Sequence, residues 1–344
     1  MAARTNRQWL LAARPSGMVK ESDFRWQEEP VRELLDGEIL VRTLYLSFDP
    51  AMRGWMDDRR SYLPPVQIGE PMRAGAVGQV VESRSRDFAP GDLVQGTFGW
   101  QDYAIVGGKG VAAVTKLPKG IPLTWPLGVL GITGLTAYFG ILEVGKPKAG
   151  ETVVVSGAAG ATGSVAAQIA KIVGARVIGI AGGDEKCRWL RDQAKLDGVV
   201  DYKRGPVDAA LRELCPNGID VYFDNVGGAI LDACLAQLAL KARVVLCGGI
   251  SAYNEKEQPA GPRNYLQLII RRSRMEGFLV LDYAARFPDA IRELTRWVEA
   301  GKVQHQEDVQ HGLENAPRTF LRLFTGENRG KQLLKVADPP VAIG

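Results

Sequence analysis

Four short stretches hold the residues whose types and spacing could do chemistry. The first is Gly157-Ala158-Ala159-Gly160-Ala161-Thr162-Gly163, three glycines spaced G-x-x-G-x-x-G. It follows Thr152-Val153-Val154-Val155, a β-branched run that reads as a buried strand. It precedes Ser164 to Val173, whose apolar Val165, Ile169 and Val173 fall at helical spacing and stop at Gly174. Strand, tight turn and helix start together build an anion site. Glycines let the backbone approach a pyrophosphate, and the helix start offers unpaired N–H groups and a partial positive charge. The spacing departs from the usual G-x-G-x-x-G, so a plain strand-to-helix turn stays open as an alternative.

The other three stretches narrow the choice. Gly182-Gly183-Asp184-Glu185-Lys186 follows the apolar run Val177 to Ala181. An NAD enzyme places an acid at this strand end to hold the ribose hydroxyls. Here two glycines leave room for a 2′-phosphate, and Lys186 stands one helical turn on to neutralise it. The expectation is NADP(H), with NAD held through Asp184 as the alternative and Lys186 as a plain surface lysine the blander one. Asp224-Asn225-Val226-Gly227-Gly228 suits a loop pressed against a nicotinamide ribose. Cys247-Gly248-Gly249-Ile250-Ser251-Ala252-Tyr253-Asn254 closes the set. Cys247 follows an apolar strand with no partner base, so it reads as a small buried residue rather than a nucleophile.

What is missing narrows it further. The histidines are His305 and His311, both late and on a predicted loop. Cys187, Cys215, Cys234 and Cys247 form no C-x-x-C pair, so neither a zinc ribbon nor a disulfide framework is indicated. A catalytic zinc takes about three protein ligands, and no cysteine or histidine precedes residue 187; no metal is expected. A Ser-His-Asp hydrolase is disfavoured on the same ground. Redox chemistry carried by a bound cofactor remains.

These stretches must be positioned by a scaffold. The 344 residues suggest about two domains. From residue 152, strands at 152–156, 177–181, 199–200, 220–223, 243–247 and 277–280 alternate with helices near 164–173, 185–195, 206–214, 229–239 and 263–272. Continuous apolar strands separated by helices predict an α/β fold with a doubly wound, six-stranded parallel sheet, a Rossmann domain. Before it, residues 1 to about 125 read as short strands, among them Glu38–Leu46, Ala76–Val81 and Asp102–Val106. Turn signals such as Pro90-Gly91-Asp92 and Gly107-Gly108 break them up, a β-barrel-like or sandwich pattern. A glycine-spaced apolar segment at 128–140 predicts one or two helices. A helix at 288–300 starts with Pro288. The tail holds a short helix at 316–324 and a strand at 332–336, and it is expected to fold back on the N-terminal domain.

Hydrophobic residues are 46% and charged residues 24% of the chain, and the net charge is +4, too small to make nucleic acid the expected partner. The densest basic spot, Arg271-Arg272-Ser273-Arg274, reads as a solvated helix end. The N-terminus lacks the apolar region of a signal peptide, and no stretch approaches the roughly 20 apolar residues of a membrane span. A cytoplasmic protein acting on a small molecule is the simplest expectation.

With these residues assembled, the chain resembles the zinc-independent medium-chain dehydrogenase/reductases, in the group of prostaglandin reductases, alkenal double-bond reductases and curcumin reductase. The resemblance spans nearly the whole length. It rests on Leu44 to Gly54 (LYLSFDPAMRG), Gly134 to Tyr138 (GLTAY), Ala158 to Ser164 (AAGATGS), Gly183 to Lys186 (GDEK), Phe223 to Gly228 (FDNVGG), Cys247 to Asn254 (CGGISAYN) and Gly326 to Lys331 (GENRGK). It implies NADPH bound by Gly160, Ala161, Thr162, Gly163, Lys186, Tyr202, Asn225, Cys247, Gly248, Gly249, Ile250, Ser251, Ala252, Tyr253, Phe278, Leu279, Val280 and Asn328. It further implies a GroES-like substrate and catalytic domain at 1–128 and 305–344, an NADP-binding Rossmann domain at 129–304, and a homodimer joined through the last strand. Two departures bear on the substrate pocket: Ala51 stands where the family often has tyrosine, and Ile132-Thr133 where Met-Pro is common.

The reaction so implied is reduction of the carbon–carbon double bond of an α,β-unsaturated ketone or aldehyde. Hydride goes to the β-carbon, and Tyr253 is the expected hydrogen-bond donor to the carbonyl oxygen, with packing against the ribose as its other reading. A quinone reductase and a non-catalytic NADPH-binding sensor stay open beside it.

Overall fold

The computed structural model describes residues 4–107, 114–257 and 259–342; Gly108 of the turn signal above lies outside them. The chain divides into two compact units, residues 1–127 with 307–344, and residues 128–306.

The first unit opens with a hairpin-like pair, β1 (Thr5–Leu11) and β2 (Phe24–Pro30), antiparallel with Trp9 opposite Trp26. Then come β3 (Glu38–Ser47), the single-turn α1 (Met52–Trp55), β4 (Gly75–Ser83), β5 (Leu93–Thr97), β6 (Tyr103–Gly107) and β7 (Thr115–Lys116). β3 is the spine: it pairs antiparallel with both β4 and β6. Its long apolar run is buried at both faces, with Ile39, Leu40, Val41, Leu44 and Leu46 nearly inaccessible. β1, β2, β5 and β7 carry no strand signal of their own in the sequence. They are short or polar, and pairing with a neighbouring strand, not a run of apolar residues, makes them strands.

The second unit starts with α2 (Ile132–Phe139), which runs straight into a π-helical turn, Gly140–Gly145. Strands and helices then alternate: β8 (Thr152–Ser156), α3 (Ala161–Ile172), β9 (Arg176–Ala181), α4 (Asp184–Asp192), β10 (Gly198–Asp201), α5 (Val207–Leu214), β11 (Ile219–Asp224), α6 (Gly228–Leu235), β12 (Leu238–Leu246), α7 (Gln267–Arg271), β13 (Arg274–Gly277) and α8 (Phe287–Glu299). The sheet order is β10-β9-β8-β11-β12-β13 and every pairing is parallel. This is the doubly wound order whose switch point lies between the first and fourth strands, here β8 and β11.

Two expectations need correction. The last strand is Arg274–Gly277, so Phe278 and Leu279 lie beyond its end and Val280 begins a 3-10 turn. Arginine and glutamate hid the strand: β13 is a sheet edge, paired by β12 on one side only among the described residues. β12 starts at Leu238, five residues early, and consumes the expected end of the preceding helix.

The chain returns to the first unit through β14 (Glu307–His311), α9 (Ala316–Thr325) and β15 (Lys331–Lys335). β15 pairs antiparallel with β3, Leu333 opposite Ser47, and parallel with β14. His311 therefore ends a strand, not the loop expected from its polar sequence. α9 buries Phe320 against Phe48 and Trp100.

Candidate functional site

The carboxyl ends of the second unit's strands gather most of the expected residues. At the end of β8, Gly157 turns with a φ of 58°, and Gly160 takes extended geometry ahead of α3 with no side-chain cap. The first N–H groups of a helix have no partner within it. Glycine is required at 163: a Cβ there would stand 2.3 Å from the Gly157 carbonyl oxygen. The close approach places the start of α3 against the turn, the arrangement a pyrophosphate site needs.

Asp224, at the end of β11, locks the switch point. Its Oδ1 accepts the Ser156 hydroxyl at 2.8 Å, the Tyr222 hydroxyl at 2.6 Å and the N–H groups of Val226 and Gly227 at 3.0 Å each. Asp224 is fully buried, and four donors on one oxygen replace the water that burial removes. Asn225 completes the tie: its N–H donates to Ser156 Oγ at 2.9 Å and its side-chain amide to the Ser156 carbonyl at 2.6 Å. The Asp224 carbonyl accepts the N–H groups of Cys247 and Gly248 at 2.9 and 3.0 Å. The β8, β11 and β12 ends thus form one bonded rim.

The Cys247–Asn254 segment folds over that rim. Ser251 donates its hydroxyl to the Val226 carbonyl at 2.6 Å, and the Ile250 N–H reaches the Asn225 carbonyl at 3.3 Å. The Gly249 N–H donates to the Tyr253 hydroxyl oxygen at 3.1 Å. That bond fixes the phenol against the Gly248-Gly249 backbone. Burial, with the Asp224 charge adding to it, pushes the Cys247 thiol up to about 12. It stays protonated at neutral pH, as a packing residue should.

At the end of β9 the two glycines differ: Gly183 has nothing within 4 Å of where a Cβ would stand, and Gly182 is covered. A Cβ on Gly182 would meet the Tyr202 ring at 2.6 Å, so the phenol lies across that glycine. Asp201 Oδ1 accepts the Gly183 and Lys203 N–H groups at 3.0 Å each. Asp184 ion-pairs with Arg204. Asp201 and Arg204, like Ser156 and Tyr222, were not among the expected residues. An acid at the last position of a short strand was the available signal.

Phe278 packs against Gly140, where a Cβ would come within 2.7 Å of its ring; Val280 is buried and Leu279 is exposed. Asn328 belongs to the other unit, where its amide donates to the Gly330 carbonyl at 3.0 Å. In that unit Lys331 is buried, donating to the Phe48 carbonyl at 3.0 Å and ion-pairing with Asp49. Ala51 immediately precedes α1, and Thr133 is buried in α2 with its hydroxyl donating to the Gly128 carbonyl at 2.9 Å. Among the described residues, no three His, Cys, Asp or Glu side chains cluster to hold a metal ion, and no helix is long and apolar enough to cross a membrane.

A doubly wound parallel sheet with a glycine turn at its first strand end and a bonded rim at its switch point defines a dinucleotide-binding protein by class. Residues 7–114 match the family described as the N-terminal domain of oxidoreductases, and residues 161–296 the one described as zinc-binding dehydrogenase. The chain is 44% identical over 337 residues to the NADPH-dependent curcumin reductase of Escherichia coli, covering 96% of this chain and 97% of the relative. It is 41% identical over 339 residues to the NADP(+)-dependent 2-alkenal reductase of Nicotiana tabacum, covering 97% and 98%. The crystal structure of CurA from Vibrio vulnificus in complex with NADPH superimposes with a TM-score of 0.92 at 42% identity, covering 97% of this chain and all of that one. The chain belongs to the medium-chain dehydrogenase/reductases, in their zinc-independent group.

Proposed function

We propose that the protein is an NADPH-dependent reductase of the carbon–carbon double bond in α,β-unsaturated ketones and aldehydes. The observation that carries this is the Cys247–Tyr253 segment on the bonded rim of a dinucleotide fold, in a chain 44% identical to a relative named for such a reduction. The NADPH, when bound, supplies the hydride.

The residues present fit that cofactor. The uncapped start of α3 above the Gly157–Gly163 turn would hold the pyrophosphate. Lys186 and Tyr202 would hold the phosphorylated ribose, and Asn225 with the Cys247–Tyr253 segment the nicotinamide end. Phe278 to Val280 and Asn328 complete the set. Residues 129–304 are assigned to NADP binding, and 1–128 with 305–344 to substrate recognition, with Asn328 of the latter given to the cofactor.

Tyr253 is the group that acts on the substrate. Hydride at the β-carbon would leave negative charge on the carbonyl oxygen, and the resulting enolate would take a proton at its α-carbon from solvent or from Tyr253. A donor held in place before that charge appears lowers the barrier, and losing one such donor costs about 3 kcal/mol. The Gly249 N–H bond at 3.1 Å orients the Tyr253 hydroxyl for this role.

We assign the protein to a homodimer formed at β13. That strand pairs with β12 on one side only among the described residues. Beside it α7 leaves Leu266, Ile269 and Ile270 exposed, Ile269 by 73%, an apolar face that a second copy would cover. Light scattering reports the mass; a monomer at micromolar concentration rejects this assignment.

The function is tested by a cofactor-by-acceptor matrix of NADPH and NADH against enals, enones and quinones, with deuterium at the nicotinamide C4. Label at the product β-carbon, with NADPH preferred, is expected. Turnover confined to quinones, or with NADH alone, refutes it.

A further inference from the structure

The ends of β9 and β10 carry an ion-pair arrangement that the function above leaves unused. The Arg204 guanidinium ion-pairs with Asp184 at the first position of α4, and its Nε stands 3.7 Å from Asp201 Oδ2. Asp201 in turn anchors the turn before α4 through the Gly183 N–H, and Tyr202 lies across Gly182. The whole arrangement therefore surrounds the place where cofactor choice is made in this fold.

Asp184 by itself is the wrong residue there. It stands three residues past the end of β9, where an unpaired carboxylate can still accept ribose hydroxyls and repel a phosphate, which favours the unphosphorylated coenzyme. Here it is covered by a guanidinium. Without Arg204 the local acids Asp184, Glu185 and Asp201 outnumber Lys186 and Lys203; with it they balance. Both partners are well exposed, the side chains by 68% and 61%. Exposed pairs contribute roughly 0–1 kcal/mol, so the guanidinium can leave Asp184 at little cost. A phosphate monoester carries nearly two charges at neutral pH, and the planar guanidinium fork matches its oxygens better than an ammonium does.

We propose that Arg204 is a specificity residue for the cofactor: it masks Asp184 in the resting protein and passes its guanidinium to the 2′-phosphate of NADPH. The proposal rests on the NADPH reading and goes beyond Lys186 and Tyr202 as the phosphate's holders.

The test uses the full chain and binding alone, by calorimetry, with adenosine 2′,5′-bisphosphate and 5′-AMP as probes beside NADPH and NADH. Arg204→Gln should weaken the bisphosphate and NADPH by about tenfold or more, the scale of one charge-assisted bond. It should leave 5′-AMP within about twofold and shift thermal unfolding little, since the side chain is exposed. Arg204→Lys should retain part of the affinity, and Asp184→Asn added to Arg204→Gln should recover part of the loss. Bisphosphate binding within twofold of wild type in Arg204→Gln, or no recovery in the double variant, overturns the proposal while leaving the cofactor reading intact. A wild-type protein that does not distinguish the bisphosphate from 5′-AMP overturns both.

Discussion

Ser156 and Asp224 are 68 residues apart and end two adjacent parallel strands, and the Ser156 hydroxyl donates to Asp224 Oδ1 at 2.8 Å. That bond closes the switch point of the sheet. Three more donors share the same oxygen, so one carboxylate sets the turn after β11, while the backbone carbonyl of the same residue anchors the loop that follows β12. Asp224→Asn keeps the shape but removes the charge that four donors converge on. Loss of charge assistance should lower stability by about 2 kcal/mol, read as a reduced urea midpoint at unchanged slope. An unmoved midpoint contradicts the assigned role.

Tyr253→Phe removes the hydroxyl that accepts the Gly249 N–H and faces the substrate in the proposed reaction. Turnover should fall by about a hundredfold, the scale of one oxyanion donor. NADPH affinity should stay within about threefold, because the backbone bonds of the segment remain. Stopped-flow hydride transfer under saturating cofactor separates the two effects; an unchanged rate removes Tyr253 from the mechanism.

Gly182→Ala places a methyl group 2.6 Å from the Tyr202 ring. The ring must swing out or the turn must shift, at a cost of about 1–3 kcal/mol. NADPH affinity should drop roughly tenfold or more, with far-UV circular dichroism unchanged. Wild-type affinity in this variant would show that Tyr202 does not help hold the cofactor.

Cys247 has a thiol raised to about 12 by burial. A raised value keeps the group neutral until pH climbs through that range, so the native protein should not be alkylated there by iodoacetamide at pH 7 to 9. Cys247→Ala should retain turnover within about threefold, consistent with a residue whose packing is small and whose sulfur takes no part. Peptide mapping after alkylation reads the first outcome directly.

Glu38 accepts both arms of Arg32, at 2.7 and 2.8 Å, and the Leu35 N–H at 2.8 Å. The Arg32 bonds, with the Leu35 N–H adding to them, pull its carboxyl down from 4.5 to about 2. A lowered value means the stabilisation is present above about pH 4.5 and fades as pH falls toward 2. Glu38→Gln should therefore be less stable than wild type near neutrality, with the gap closing as acid is added. Parallel thermal melts from pH 7 to 2.5 measure it; a constant gap refutes the assignment.

The amino-acid sequence by itself determined the alternation of strands and helices from residue 152, the glycine turn at 157–163, and the family through motifs distributed along the chain. These are local signals: β-branched runs, helical spacing and turn glycines act within a few residues. The tertiary structure decided the rest. The strands β1, β5 and β14 exist because partner strands complete their hydrogen bonds, and β13 can be charged because it is an edge. The pair Gly182-Gly183 read as vacant space; Gly183 is open, yet Tyr202, just past the end of the next strand, lies across Gly182. Asp184 read as a candidate ribose holder, and only the folded chain brings Arg204 onto it. A side chain's neighbours across a sheet are fixed by strand order and register, which no window of sequence contains.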